Sequence, residues 1–201
     1  MSSLQGQWIF VPAGGTMVST PDTDYLAGGV WLFIPDNATN AGDVVFGAFG
    51  DGSDPFDQRS VMALQGTARY NGLATGVYSA RSGSDTEIGY VDGNVSLTVD
   101  FGGRSDLGTI GGSVTGIEID GDRIAGSLTL GTANIGGSDS GFFEGILSGT
   151  VEGTGYTGRW GGQFFGNDDQ SDGKPGSVGG TLGGRSEDRS ASFVGVFGAY
   201  K

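Results

Sequence analysis

The chain has 201 residues, 43 of them glycine, with no cysteine and no histidine, and 23 acidic against 10 basic residues give a formal net charge of −13. These absences exclude disulfides, thiolate metal sites, a cysteine nucleophile, a Ser-His-Asp arrangement and histidine-ligated haem. The charge repels phosphate backbones, so nucleic acid is not an expected partner, and glycine without a G-X-Y period excludes collagen.

Residues 1–10 lack the basic start and apolar stretch of a leader, and no apolar run approaches the ~18 residues of a spanning helix. Three short apolar runs follow one another in residues 1–60: Trp8-Ile9-Phe10-Val11, Val30-Trp31-Leu32-Phe33-Ile34 and Val44-Val45-Phe46-Gly47-Ala48-Phe49. Bounded by Pro and Gly, they read as strands of a small accessory sheet. Their aromatics are expected in its core, because a small sheet must bury something; a partner-binding surface is the alternative. Residues 51–60, carrying Asp51, Gly52, Asp54, Pro55, Phe56 and Asp57, read as a connecting loop, with the domain boundary near Ser60 and Phe56 exposed.

From Val61 to the end the pattern has period two, broken by Gly, Asn, Asp and Ser clusters, as in an antiparallel all-β chain. The clearest strand is Val95-Ser96-Leu97-Thr98-Val99-Asp100-Phe101, apolar at odd positions and polar at even ones. Other runs span 66–71, 73–79, 109–119, 124–135, 142–153, 156–166 and 190–200, about eight strands in all, a number that closes a barrel filled by side chains. In Tyr156-x-Gly158-x-Trp160-x-Gly162-x-Phe164 and Phe193-x-Gly195-x-Phe197-x-Ala199, bulky and small residues alternate on one face. A narrow barrel needs that alternation inside, which gives the glycine excess a structural cause. An outer-membrane barrel is disfavoured because the apolar face is interrupted by glycine and lacks paired aromatic girdles.

The strand acids Asp100, Glu118, Asp120, Glu144 and Glu152 are expected on the wet outer face rather than as a catalytic pair. Gly153-Thr154-Gly155-Tyr156-Thr157-Gly158 matches the dinucleotide fingerprint, but in a hairpin it lacks the helix that holds pyrophosphate. Asn167-Asp168-Asp169-Gln170-Ser171-Asp172-Gly173 has calcium-loop composition without the bidentate Glu of an EF-hand, so an acidic surface loop is expected.

Three segments in order, Asp24-Tyr25-Leu26-Ala27-Gly28-Gly29-Val30-Trp31, Phe46-Gly47-Ala48-Phe49-Gly50 and Gly66-Thr67-Ala68-Arg69-Tyr70-Asn71-Gly72-Leu73-Ala74-Thr75-Gly76-Val77-Tyr78, resemble the handle-to-barrel pattern of transferrin-binding protein B-like proteins. Val95–Phe101, Phe164-Phe165-Gly166 with Val178-Gly179-Gly180-Thr181, and Val196-Phe197-Gly198-Ala199 extend the resemblance over nearly the whole chain. It implies a small N-terminal handle sheet (1–60) followed by a closed eight-stranded antiparallel barrel (61–201), displayed on or released from a Gram-negative outer membrane. It also implies a non-enzymatic binding role in iron or haem acquisition, with an extracellular protein or iron-containing ligand as partner and an outer-membrane receptor as a second one. No resident cofactor or metal is expected; haem or iron enters as cargo, for which tyrosine or methionine would have to replace the absent histidine. Specificity is expected in loops at one end of the barrel, at 51–57, 82–87, 138–140 and 167–174, with Asp51, Asp54, Phe56, Asp168, Asp169 and Asp172 as the candidate ligand-binding residues. A surface adhesin or immune-evasion factor without cargo, and an enzyme using the barrel mouth, are the remaining alternatives.

Overall fold

The computed structural model describes residues 6–12, 26–35, 45–52, 55, 61, 63–82, 85–102, 108–135, 142–166 and 173–201. β1 (Gly6–Pro12), β2 (Leu26–Pro35) and β3 (Val45–Gly52) form a three-stranded antiparallel sheet in that order. The rest is a barrel of β4 (Gln65–Ser82), β5 (Asp85–Gly102), β6 (Thr109–Ile119), β8 (Gly126–Asn134), β9 (Phe143–Val151), β10 (Thr154–Phe165), β11 (Ser177–Ser186) and β12 (Ala191–Tyr200), with the two-residue β7 (Asp122–Arg123) extending the β6 hairpin. Neighbours run β5-β4-β12-β11-β10-β9-β8-β6, and pairing of β6 with β5 closes the ring. The all-β class, the small handle sheet and the closed eight-stranded barrel are therefore as the sequence led us to expect.

Two strand readings need correction. Segments 66–71 and 73–79 are one continuous strand, β4, because Gly72 is not a turn. A Cβ there would meet the Gly198 carbonyl oxygen at 1.9 Å, so glycine lets β4 and β12 cross closely. The eighth strand is β11, whose sequence Ser-Val-Gly-Gly-Thr-Leu-Gly-Gly-Arg-Ser carries too few large side chains for a period-two signal.

Inside the barrel, Val95, Leu97, Val99 and Phe101 of β5 are buried while Ser96, Thr98 and Asp100 are exposed. Trp160 and Phe164 of β10 and Phe197 of β12 fill the middle, Trp160 and Phe197 with ring centroids 6.0 Å apart, and Phe143 and Phe101 pack against Trp160 and Phe164 at 5.3 to 5.8 Å. Glycines stand opposite the rings: Gly145 across from Trp160, Gly162 across from Phe143, Gly180 across from Phe197. Asp100, Glu118 and Glu144 are exposed on the outer wall, where Glu144 pairs with Arg159 of the next strand. The apolar bulk is inside, while the outer wall mixes charged and hydroxyl side chains with exposed Leu73, Ile88, Tyr90 and Ile146 rather than forming a continuous apolar band, and among the described residues no helix is long and apolar enough to cross a membrane.

The two ends of the barrel differ. At one end lie tight turns: Asp120-Gly121 and Glu152-Gly153 have positive φ at both residues, 50° and 88°, then 49° and 78°, the two-residue geometry that suits twisted hairpins. Asp120 and Glu152 are thus exposed turn residues rather than strand residues, and the fingerprint-like glycines run from a turn into β10, with no helix beside them. The opposite end carries the longer connections, 103–108, 135–142 and 166–176, together with the segment joining β3 to β4.

The handle lies on the outer wall of the barrel. Val30 and Leu32 of β2 are buried against Val77 of β4, with Ile9, Ala48 and Val194 packed around them. Leu26 reaches Gly179 of β11, where an added Cβ would stand 3.2 Å from the leucine methyl.

Candidate functional site

Because side chains alternate across a strand, burying Ile9, Val30 and Leu32 turns Trp8, Phe10, Trp31 and Phe33 to the other face of the handle. Trp8 stands opposite Phe33 with ring centroids 5.0 Å apart, and Phe10 opposite Trp31 at 4.6 Å. Phe33 is buried beneath this layer, but Trp8, Phe10 and Trp31 remain 62%, 41% and 46% exposed. The expectation that the handle aromatics are all core is therefore corrected for these three. The handle is only one sheet thick, and the barrel covers one of its faces. The side chains of Phe46 and Phe49 lie outside the described residues.

Of the candidate ligand-binding residues, Asp51 is described: it is exposed, in β3 opposite Ala27. Asp54, Phe56, Asp168, Asp169 and Asp172 lie outside the described residues, as does the loop 138–140. What is described is how their flanks meet. Pro55, four residues after Asp51, forms an antiparallel bridge with Phe165, directly before the 166–176 connection. At the far side of that connection, Pro175 accepts a hydrogen bond from buried Tyr70 Oη at 2.9 Å, and Lys174 Nζ donates to the Thr67 carbonyl at 3.0 Å. The flanks of 51–57 and 167–174 thus converge at the long-loop end, beside the handle. Segment 82–87 is at the other end: Ser82 and Asp85 pair where β4 turns into β5. The expectation that all four loops share one end is corrected for this segment.

The lobe implied by the sequence resemblance, one handle sheet on one closed barrel, is the fold of this chain. Comparison with solved structures finds the crystal structure of a surface lipoprotein, 12% identical, covering 94% of this chain and 80% of that one with a TM-score of 0.48. A mutant of the vaccine antigen transferrin-binding protein B from Haemophilus parasuis Hp5 is 14% identical, covering 94% of this chain and 37% of that one with a TM-score of 0.45. No protein-family model and no curated protein matches the sequence.

Among the described residues no three carboxylates converge to hold a metal ion. The tight-turn end does hold two carboxylates about one hydroxyl: Tyr78 Oη lies 3.2 Å from Glu87 Oε1 and 3.4 Å from Asp120 Oδ2, while Asp120 Oδ1 accepts the Tyr90 N–H at 2.7 Å. Gly89, opposite Tyr78, makes this possible, since a Cβ there would meet Asp120 Oδ2 at 2.3 Å. The space behind this group is mainly apolar, bounded by Ala74, Val91, Val114, Leu128 and Leu182.

Burial, then the hydrogen bond and charge of Glu87, then Asp120, push the Tyr78 hydroxyl up from 10.0 to about 12. A folded value above the unfolded one means that the unfolded chain loses its proton first as pH rises. The associated stability is whole below pH 10 and disappears as pH rises through about 12. Tyr78→Phe is expected to flatten the alkaline loss of stability over that window, while Tyr156 and Tyr200, also raised by burial, leave a residual slope. Urea midpoints by circular dichroism across that window measure this; equal slopes in both proteins would remove the assignment.

Proposed function

We propose that the chain is a non-enzymatic binding protein, surface-displayed or secreted, that captures an extracellular protein through the aromatic face of its handle and the adjoining long-loop end of the barrel. The observation that carries this reading is the exposed layer of Trp8, Phe10 and Trp31. Three large aromatics held by cross-strand packing make a preorganised apolar patch, and tryptophan anchors are over-represented among residues that dominate binding energy. The resemblance in sequence supplies the partner class to be tried first, an iron-carrier protein, with the iron remaining on the carrier. Asp51, exposed where β3 leads toward the long-loop end, adds a carboxylate suited to a basic patch on the partner.

Binding of purified iron-carrier proteins, iron-loaded and iron-free, to the immobilised chain tests this. The double variant Trp8→Ala, Trp31→Ala is expected to weaken capture by about 30-fold or more, corresponding to roughly 2 kcal/mol, with the barrel still folded by far-ultraviolet circular dichroism because both rings lie on the handle face turned away from it. A stoichiometric Soret band on adding haem, with no carrier bound, would replace protein capture by direct cargo binding.

A further inference from the structure

The tight-turn end of the barrel is not completely filled. Tyr78, Val91, Tyr156 and Phe193 surround a cavity of about 60 Å³ that continues inward to Ala74, Leu128 and Leu182 and opens at this end. It follows from the chain's own pattern: Ala74, Gly76, Gly93 and Gly195 all stand on the inward face here, so β4, β5 and β12 present little side-chain bulk. The glycines cannot be enlarged to fill it, because a Cβ at Gly76 would meet the Val194 carbonyl oxygen at 2.3 Å and one at Gly93 would meet Val114 Cγ1 at 2.6 Å. Apolar space of this kind is poorly suited to water and accepts apolar guests.

The polar group at the mouth is short of protons. Tyr78 has one hydroxyl hydrogen for two carboxylate acceptors, Glu87 and Asp120, both at the long end of the hydrogen-bond range. Its own oxygen keeps acceptor capacity, so three acceptors gather around the hydroxyl of Tyr78, which itself borders the cavity. Across the mouth, Asp188 and Glu152 act on Tyr156. Among the described residues no Lys or Arg lines the cavity; by register Arg81, Arg123 and Arg185 of this end alternate onto the outer wall, and Arg189 stands exposed in the turn between β11 and β12.

We infer that the tight-turn end is a second binding site, for a small primary amine on a short unbranched hydrocarbon chain. The chain enters the cavity, and the ammonium group places its three donors on Glu87, Asp120 and the Tyr78 oxygen. An anionic head meets two carboxylates, and a hydroxyl head offers one proton where three acceptors wait. The site lies inside the barrel at the end away from the long loops, so it stands independently of protein capture by the handle.

Methyl-selective NMR of the whole protein reads the test, with xenon, propylamine, 1-propanol and propionate as probes, whose size matches the cavity. Xenon and propylamine are expected to shift the methyl signals of Leu128, Val114 and Leu182, with propylamine binding at least several-fold more tightly than propanol and propionate not binding. Ala74→Leu is expected to abolish the shifts from all probes. Asp120→Asn keeps a residue that tolerates the positive φ of the turn and is expected to reduce propylamine to the affinity of propanol. Absence of both xenon and propylamine shifts in the wild-type protein overturns the site. Equal binding of propylamine and propanol, or an unchanged preference in Asp120→Asn, overturns the amine recognition.

Discussion

Gly158→Ala is expected to destabilise the barrel by at least about 3 kcal/mol, a large part of the total stability of a domain this size. The added methyl carbon would lie 1.9 Å from the Gly183 carbonyl oxygen and 2.6 Å from the Gly184 Cα, both backbone atoms of the paired strand β11. No rotamer change relieves such an overlap; β10 and β11 would have to separate, and their ladder is part of what closes the ring. Gly184 sits directly opposite, and a Cβ there would in turn meet the Phe193 ring at 2.9 Å, so the strain has no free direction in which to dissipate. Gly47→Ala provides the contrast, because nothing lies within 4 Å of a Cβ at that position in the handle. It is expected to change stability by no more than about 0.5 kcal/mol. Urea unfolding of both variants, followed by far-ultraviolet circular dichroism, separates them, and coincident midpoints would mean that β10 and β11 approach less closely than described.

That crowding also explains which parts of the fold were legible. The alternation at 95–101 gave the burial of β5 residue by residue, because its inward positions all carry large apolar side chains. In β11 the inward positions alternate Val178, Gly180, Leu182, Gly184, and half the signal is missing. At Asn71-Gly72 the pair most typical of a hairpin turn is used instead for close approach to β12. Splitting β4 there inserts a reversal of chain direction that does not exist, which carries segment 82–87 to the wrong end of the barrel. The parity of Trp8 and Phe10 against Ile9 was visible, but it cannot say which face of a thin sheet is covered. The usable signal lay elsewhere in the chain: Val77 and Val194 are apolar at outward positions of β4 and β12, and they mark the seat of the handle. The cavity was not legible, since it arises from which small residues of three strands meet at the same height inside the ring.

Trp160→Ala is expected to cost about 4 kcal/mol, within the range for deleting a fully buried large aromatic. Trp160 reaches the carbonyl of Gly131 with its Nε1 at 3.0 Å and packs its ring against Phe143 and Phe197 at 5.3 and 6.0 Å. The position opposite, Gly145, is shaped to it: a Cβ there would come within 2.5 Å of Nε1. Truncation would leave a void bounded by rigid strands, and the glycines around it have no side chains with which to relax into the gap. Trp160→Phe separates volume from polarity. It keeps a ring between Phe143 and Phe197 but removes the donor, and is expected to cost about 1–2 kcal/mol, the range for losing one buried hydrogen bond together with a little packing. Urea midpoints should fall in the order wild type, Phe, Ala. If the two variants coincide, the indole N–H rather than the ring volume holds β8 to β10 at the centre of the barrel. Alternation of rings with glycine would then serve mainly to place one donor, and the dense middle layer would be worth less than its buried area implies.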